Sequence, residues 1–441
     1  EVWNIDQFAI KNNRPDKILG KITKVDPELI KHYYNQYLKR LKKLNLTEDK
    51  LSKDYETPET KITKTVQSGK NVNVDFTITS KTAKVTRYNI FVNDVPIFGT
   101  YGKDLSGTAN IDLRSLALTE TIELISGDNK IEVSAMNEYG AESFRALTSA
   151  SYQPASPVKP NLYYIGFGVS KYKNAELNLQ YADKDAKDLS DVFEKMKTSG
   201  HYANVYSKTY LNEDVTPETI KGTKDFLKDA KPDDTFVLFI AGHGTHDNDK
   251  DATYFYLTSN ADINNLKGTA ADFETIEDLL QGIPPRNKLF LMDACESGEI
   301  DEEDQGQMIA TATGVGIASR GFKTTSSPST VNSQPSTKRC YLYQKDRYIY
   351  NDLVRRSGAI VFSSSKGGEL SYERSDIQNG LFTYWVMKAL TTKDADKNSD
   401  GIVSTDELRD YVSAQVAKAS GDLQHPTVDR DNIYQKFGFG V

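Results

Sequence analysis

The spacing of apolar and polar positions divides the chain into three stretches with different periods. Over residues 1–55 the apolar positions recur at helical spacing. In "DPELIKHYYNQYLKRLKKL", Asp26 and Pro27 give a cap residue and then proline at the first helical position. Ile30, Tyr33, Tyr34, Tyr37, Leu38 and Leu41 follow on one face. This predicts an amphipathic helical arm that must dock on another surface. From 56 to 155 the period becomes two. "VNVDFTITS", "RYNIFVNDVPIF" and "NKIEVSAMNEYG" alternate apolar and polar residues between Gly, Asn, Asp and Ser turns. That predicts a small all-β, immunoglobulin-like sandwich. It lacks the Cys…Trp…Cys signature and carries no residue with evident chemistry, so a spacer or interaction module is expected.

A proline-rich linker, "QPASPVKP" (153–160), leads into the third stretch, 160–441. Strands are expected at "LYYIGFGV", "NVYSKTYL", "TFVLFIAG", "KLFLMDA" and "GAIVFSSS". Helices are expected at "DKDAKDLSDVFEKMK", "PETIKGTKDFLKDA", "FETIEDLLQGI" and "GLFTYWVMKAL". Continuous apolar strands alternating with helices define an α/β domain, with a mostly parallel sheet flanked by helices on both faces. Such sheets bind ligands beyond the carboxyl ends of their strands. Residues 300–347 break the order with a long Ser/Thr/Pro-rich loop, a feature that is uncommon in a compact domain and usually functional.

The totals narrow the partners. A chain of 441 residues is expected to hold two or three domains, and 38% hydrophobic with 27% charged residues is a globular composition. A net charge of −7 argues against a nucleic-acid partner or an anionic membrane, both of which favour a basic face. No apolar run approaches the ~20 residues of a membrane helix, and no secretory leader is visible. The chain starts at Glu1, not Met, so a longer protein with an upstream domain as partner is expected. Its two cysteines, Cys295 and Cys340, do not form a disulfide framework, and such low use favours a reducing, cytoplasmic location.

Two strands end in unusual residues. "TFVLFIAGHGTH" ends on His243 between two glycines, and "LFLMDACESGE" ends on Cys295. Alone, such a cysteine is usually a small buried hydrophobe and such a histidine a satisfied core residue. Together they end two strands expected to be neighbours, at the rim where a parallel sheet places its ligands. A free thiol, with a pKa of about 8.5, is a poor nucleophile at pH 7, and an adjacent imidazole can take its proton. Gly242 and Gly244 are expected to let a substrate backbone approach, with the Gly244 N–H pointing inward.

The region from about 160 to 441 resembles the caspase-like clan of cysteine peptidases, in particular its metacaspase and bacterial caspase-like branches. The motifs that carry the resemblance are "AGHG" (241–244) and "DACESG" (293–298), 52 residues apart from His243 to Cys295. "LNLQYADKDAKDL" and "VFSSSKGGELSYE" add support as pocket segments. The resemblance implies a caspase-like fold and a Cys–His dyad without an obligatory third member. His243 would be general base and then general acid, and Cys295 would carry the acyl group. The N–H groups of Gly244 and Cys295 would form the oxyanion hole, each donor worth about 3 kcal/mol in related chemistry. The caspase pattern "QACRG" is not kept: Asp293 replaces Gln, and Glu296 the basic residue. Aspartate specificity is therefore not carried over. By the metacaspase match Asp293, Asp185 and Asp183 line the primary pocket, which favours Arg or Lys. For Asp183 and Asp185 a helix-first-turn role stands beside this. Ser363 to Lys366, and so Ser363 and Ser364, are expected along the substrate backbone as an edge strand. A basic preference would make Arg320, Lys323, Lys338 and Arg339 in the long loop candidate self-cleavage sites. No cofactor is required for this chemistry, and the partner is a protein or peptide substrate.

Near the C-terminus, "DKNSDGIVSTDE" (396–407) fits a twelve-residue calcium loop. Asp396, Asn398 and Asp400 stand at positions 1, 3 and 5, Gly401 at the sharp turn, Ile402 at 7, Ser404 at 9 and Glu407 at 12. The other reading is a metal-free acidic turn in which Ser404 and Glu407 form a capping box. Two rivals to the peptidase also stand: a catalytically silent caspase-like scaffold, and an acyltransferase or hydrolase acting on a small substrate.

Overall fold

The computed structural model describes residues 5–22, 25, 27–51, 56–105, 107–108, 112–247, 253–294, 317–319, 357–366, 369–428 and 437–441. Cys295 and the four candidate self-cleavage residues Arg320, Lys323, Lys338 and Arg339 lie outside them. The chain divides into two units, one made of 1–158 with 249–252 and 281–283, the other of 159–248, 253–280 and 284–441.

In the first unit the arm forms helix α1 (Pro27–Lys43). Its apolar face supplies Tyr37 and Leu41, which pack with Leu46 and half-buried Ile10, Tyr34 and Leu51. Arg14 fastens the arm internally. Its guanidinium lies 3.9 Å from the centre of the Tyr37 ring and pairs with Asp16 at 2.7 Å. The docking surface is the turn around residue 140: the Glu142 N–H donates to the Gln7 carbonyl at 2.7 Å.

Six longer strands follow: β1 (Glu59–Ser68), β2 (Asn71–Thr79), β3 (Val85–Val92), β4 (Ser115–Glu123), β5 (Gly127–Asn137) and β6 (Ala146–Tyr152). They make two antiparallel sheets, β1-β2-β4 and β3-β5-β6, with Val95–Pro96 and Lys103–Asp104 added on β3. Alternate residues of both sheets meet in one core. Val72, Val74, Phe76 and Ile78 from the first face Tyr88, Ile90, Val92, Ile131 and Val133 from the second, as a period of two requires.

The second unit is built on a six-stranded sheet. In chain order its principal elements are β7 (Leu162–Gly168), α2 (Ala182–Lys195), β8 (Val205–Leu211), β9 (Thr235–Gly242), β10 (Gly244–His246), β11 (Tyr254–Tyr256), β12 (Asn287–Ala294), β13 (Ile360–Ser363), α3 (Leu381–Thr391), β14 (Ile402–Ser404), α4 (Thr405–Ala419), β15 (Thr427–Val428) and β16 (Gly438–Gly440). The sheet order is β8-β7-β9-β12-β13-β15. The first five strands are parallel and β15 is antiparallel at the edge.

One face of this sheet presents Leu162, Tyr164, Val237, Phe239, Leu289, Leu291, Ile360 and Phe362. Helices α2, α3 and α4 cover it through Leu189, Phe193, Phe382, Val386, Leu408 and Val412. The alternate residues Phe236, Leu238, Ile240, Phe290 and Met292 are buried as well. Burial on both faces is why these strands read as unbroken apolar runs.

Several elements differ from the sequence expectations. The helix expected over 217–230 is a short α-turn, Pro217–Gly222, followed by a 3₁₀ segment, Thr223–Leu227. The helix expected from 273 covers only Phe273–Asp278. Ser363 does not lie on a free edge, because β13 is paired with β12 on one side and β15 on the other, Ser363 standing opposite Met292 and Thr427. Ser364 and Ser365 form a buried bend whose Ser364 carbonyl accepts from Gln424 Nε2 at 2.9 Å. The edge-strand role expected for 363–366 is thereby corrected: both flanks of Ser363 already carry strands.

Candidate active site

His243 directly follows β9. Gly242, the last strand residue, has φ +147°, and a Cβ there would stand 2.9 Å from the Tyr172 hydroxyl. Glycine is required at this position by its backbone angle and by the tyrosine, so the room it provides is taken by Tyr172, not by a substrate backbone. His243 is buried at 2% exposure. Its backbone N–H donates to the Tyr172 hydroxyl at 2.9 Å, and the two rings lie 5.2 Å apart. Its Nε2 lies 2.8 Å from the Leu177 carbonyl oxygen. A carbonyl can only accept, so Nε2 carries the proton and Nδ1 is the lone-pair nitrogen of the neutral ring.

The turn after His243 orients Gly244. Strand β10 runs antiparallel to β11, with Gly244 opposite Tyr256. The Leu257 N–H donates to the His243 carbonyl at 2.9 Å. With Gly244 opposite Tyr256, a bond from the 257 N–H to the 243 carbonyl marks 244/256 as a non-hydrogen-bonded pair of the antiparallel ladder. The Gly244 N–H therefore points away from β11.

Strand β12 pairs with β9 in parallel, and the last pair of the ladder sets Gly242 beside Ala294. In the sequence His243 and Cys295 are the next residues after that pair.

Two of the sequence-selected acids converge on one helix turn. Residues 289, 291 and 293 of β12 point to the helix-covered face, and Asp293, fully buried, accepts from Ser371 Oγ at 2.7 Å and Thr383 Oγ1 at 2.6 Å. Asp185, fully buried on α2, accepts from Asn379 Nδ2 at 2.8 Å and from the Gly380 N–H at 3.1 Å. Gly380 is the N-cap of α3. Glycine offers no side-chain acceptor there, and Asp185 supplies one from another helix. Its charge, after burial itself, raises the pKa of Tyr164. Asp183 has a different place. Its oxygens accept from Ser170 Oγ at 2.7 Å and Asn212 Nδ2 at 2.8 Å, which ties the start of α2 to the segment after β7.

The 396–407 loop is closed by its own side chains. Asp396 accepts the Gly401 N–H at 2.9 Å, and Asp400 accepts the Ile402 N–H at 2.8 Å. Gly401 has φ +79°, as the sharp turn demands. Glu407 accepts from the Lys397 N–H at 2.9 Å with one oxygen and from the Ser404 N–H at 3.0 Å with the other, completing a capping box on α4. These bonds, with the Ser404 hydroxyl first, lower its pKa. Among the described residues no three His, Cys, Asp or Glu side chains are grouped to hold a metal ion. In this arrangement the acids close and cap the turn, and Ile402–Ser404 pairs antiparallel with Gly438–Gly440.

Three contacts around the candidate site had no sequence signal or a weak one. The Leu177 carbonyl is a backbone group and leaves no mark in the side-chain pattern. Tyr172 stands in a loop ten residues upstream of the acid-rich helix start at Ala182. Glu373, 1% exposed, accepts the Gln180 N–H at 2.9 Å and the Tyr181 N–H at 3.2 Å, which fixes the start of α2; its clue was an acid inside the "LSYE" segment.

The caspase-domain family matches residues 165–437, and the chain belongs to that family. Among solved structures it is similar to a structural-genomics protein of Geobacter sulfurreducens, at 14% identity over 63% of this chain and 97% of that one, with a TM-score of 0.38. It is also similar to caspase-1 of Spodoptera frugiperda, at 13% identity over 64% and 93% of the two chains, with a TM-score of 0.34. Part of the chain is similar to fibronectin(III)-like modules of Clostridium thermocellum CbhA, at 17% identity over 22% and 47%, with a TM-score of 0.18. No curated protein matches. A caspase domain suggests cysteine peptidase activity and, with it, a peptide or protein substrate.

Proposed function

We propose that the second unit is a cysteine endopeptidase in which His243 activates Cys295. The observation that supports it best is the ladder register: Gly242 stands beside Ala294 at the carboxyl rim of neighbouring parallel strands. Strands in a sheet lie about 4.8 Å apart, and the next residue of each is the imidazole or the thiol. With Nε2 directed to the Leu177 carbonyl, Nδ1 takes the thiol proton. The thiolate attacks the scissile carbonyl, and the developing oxyanion is received by the N–H groups of Gly244 and Cys295. The C–N bond breaks as the imidazolium returns its proton to the leaving amine, and water then releases the acyl group from sulfur.

Within this proposal the primary pocket prefers Arg or Lys, because Asp293 and Asp185 bring two carboxylates to one turn of α3. Cleavage in the long loop at Arg320, Lys323, Lys338 or Arg339 follows from that preference. Calcium modulation is not favoured, since Glu407 serves as a cap. For the first unit the proposal is an immunoglobulin-like spacer; a three-stranded sheet facing β3-β5-β6 across one core supports it.

The test is a positional peptide library with the intact protein and its Cys295→Ala form, with and without calcium, and mass spectrometry of both chains. Cleavage after Arg or Lys by the intact protein alone is expected. Aspartate preference would overturn the specificity. No cleavage and no labelling by a thiol-reactive probe would favour the silent scaffold.

A further inference from the structure

The N–H of His243 lies one residue past the end of β9, where the parallel ladder no longer supplies an acceptor in register, and His243 is buried. A buried N–H must be satisfied from elsewhere. We infer that Tyr172 is a positioning residue for His243: its hydroxyl oxygen accepts this N–H at 2.9 Å while its ring lies against the imidazole, centres 5.2 Å apart. The inference rests on the peptidase reading, in which His243 is the base.

Tyr172 is itself held in place. Its N–H donates to Asn178 Oδ1 at 2.8 Å. The N–H groups of Ser170 and Lys171 both donate to Asn212 Oδ1 at 2.9 Å. Asn212 in turn donates to Asp183, whose other oxygen accepts from Ser170 Oγ. The same loop carries Leu177, whose carbonyl takes Nε2. One segment after β7 therefore holds the histidine at two points, the main chain through Tyr172 and the ring through Leu177. Gly242 makes this possible, since any Cβ there would meet the tyrosine oxygen at 2.9 Å. Asp183 acts at one remove, by fastening the segment that carries both contacts. A displacement of about 1 Å in a catalytic group can cost on the order of a hundredfold in rate, so the hold on the main chain matters as much as the tautomer.

The variant is Tyr172→Phe, which keeps the ring and deletes the acceptor oxygen. Two readouts are taken on protein labelled with ¹⁵N at its five histidines, with the melting temperature as a control for folding. The first is amide hydrogen exchange at His243, assigned by comparison with His243→Asn. About tenfold faster exchange is expected in Tyr172→Phe, the worth of one net hydrogen bond, with His201 unchanged. The second is peptide cleavage, in which kcat is expected to fall about tenfold with KM unchanged, on the same reasoning. Unchanged exchange at His243, or unchanged kcat beside an active wild type, overturns the inference. A wild type that cuts nothing removes the peptidase reading instead, and the exchange measurement still decides on Tyr172.

Discussion

Lys288, the second residue of β12, sits at the opposite end of the sheet from the candidate site and is fully buried. Its Nζ donates to the carbonyls of Leu280, at 2.9 Å, and Ser357. Burial first, and then the charges of Arg286 and Lys224, lower its pKa from 10.5 to about 7. Between these values the unfolded chain holds a proton that the folded chain has released. Unfolding therefore takes up a proton, and stability rises with pH across that window. Below pH 7 both states are protonated and the full cost is present, roughly 5 kcal/mol at about 1.4 kcal/mol per pH unit. Raising the pH from 7 to 9 relieves about 2 kcal/mol of it by the same linkage. The perturbation is Lys288→Met in a Cys295→Ala background, which removes any self-cleavage. Urea unfolding of both forms is followed at pH 7, 8 and 9, so that titrations common to the two cancel in the difference. Methionine leaves two carbonyls without their donor, so the slope with pH is diagnostic and the absolute difference is not. The lysine form is expected to gain about 2 kcal/mol on the methionine form from pH 7 to 9. Parallel lines would refute the reasoning.

Five further outcomes are expected. Asp293→Asn should lower kcat/KM on an arginine peptide roughly a hundredfold, the scale of a lost charge-assisted contact. Asp183→Asn should lower the melting temperature but leave the preference for Arg over Gln intact; equal effects of the two variants on that preference would remove the distinction between pocket and loop. Glu407→Ala should destabilise the second unit by about 1 kcal/mol through loss of the capping box. Calorimetry should show no calcium heat, and a heat abolished by Glu407→Gln would restore the calcium loop. Gly242→Ala should destabilise by about 2 kcal/mol, from an unfavourable backbone angle and a methyl against Tyr172. A wild-type melting curve would contradict that account.

The sequence showed most clearly what is buried on both faces. The runs at 236–241 and 289–292 are apolar throughout, and the structure starts and ends β9 and β12 within one residue of expectation. Strand β1, "ETKITKTVQS", was not expected. Its side chains are almost all exposed, so no alternation marks it, and it exists because β2 offers a ladder along its whole length. The 217–230 helix read as continuous because apolar spacing survives a change from α to 3₁₀, whereas hydrogen bonding does not. At the candidate site His243 was legible from its glycines and strand end. The Leu177 carbonyl and the Tyr172 hydroxyl were not, because each acts through a contact made by folding between distant segments. Asp185 and Asp183 share one helical first turn in the sequence; only the partners, Gly380 for one and Asn212 for the other, separate them.

The alignment of β9 with β12 also bears on when this molecule could first do harm. Parallel strands cannot zip together until the entire crossover between them has been made and packed. On a ribosome, or after denaturing stress, the thiol and the imidazole are ordinary side chains at remote places on a string. On the proposed dyad, cutting power would be a late product of maturation, and a damaged copy would lose it as soon as the sheet opened.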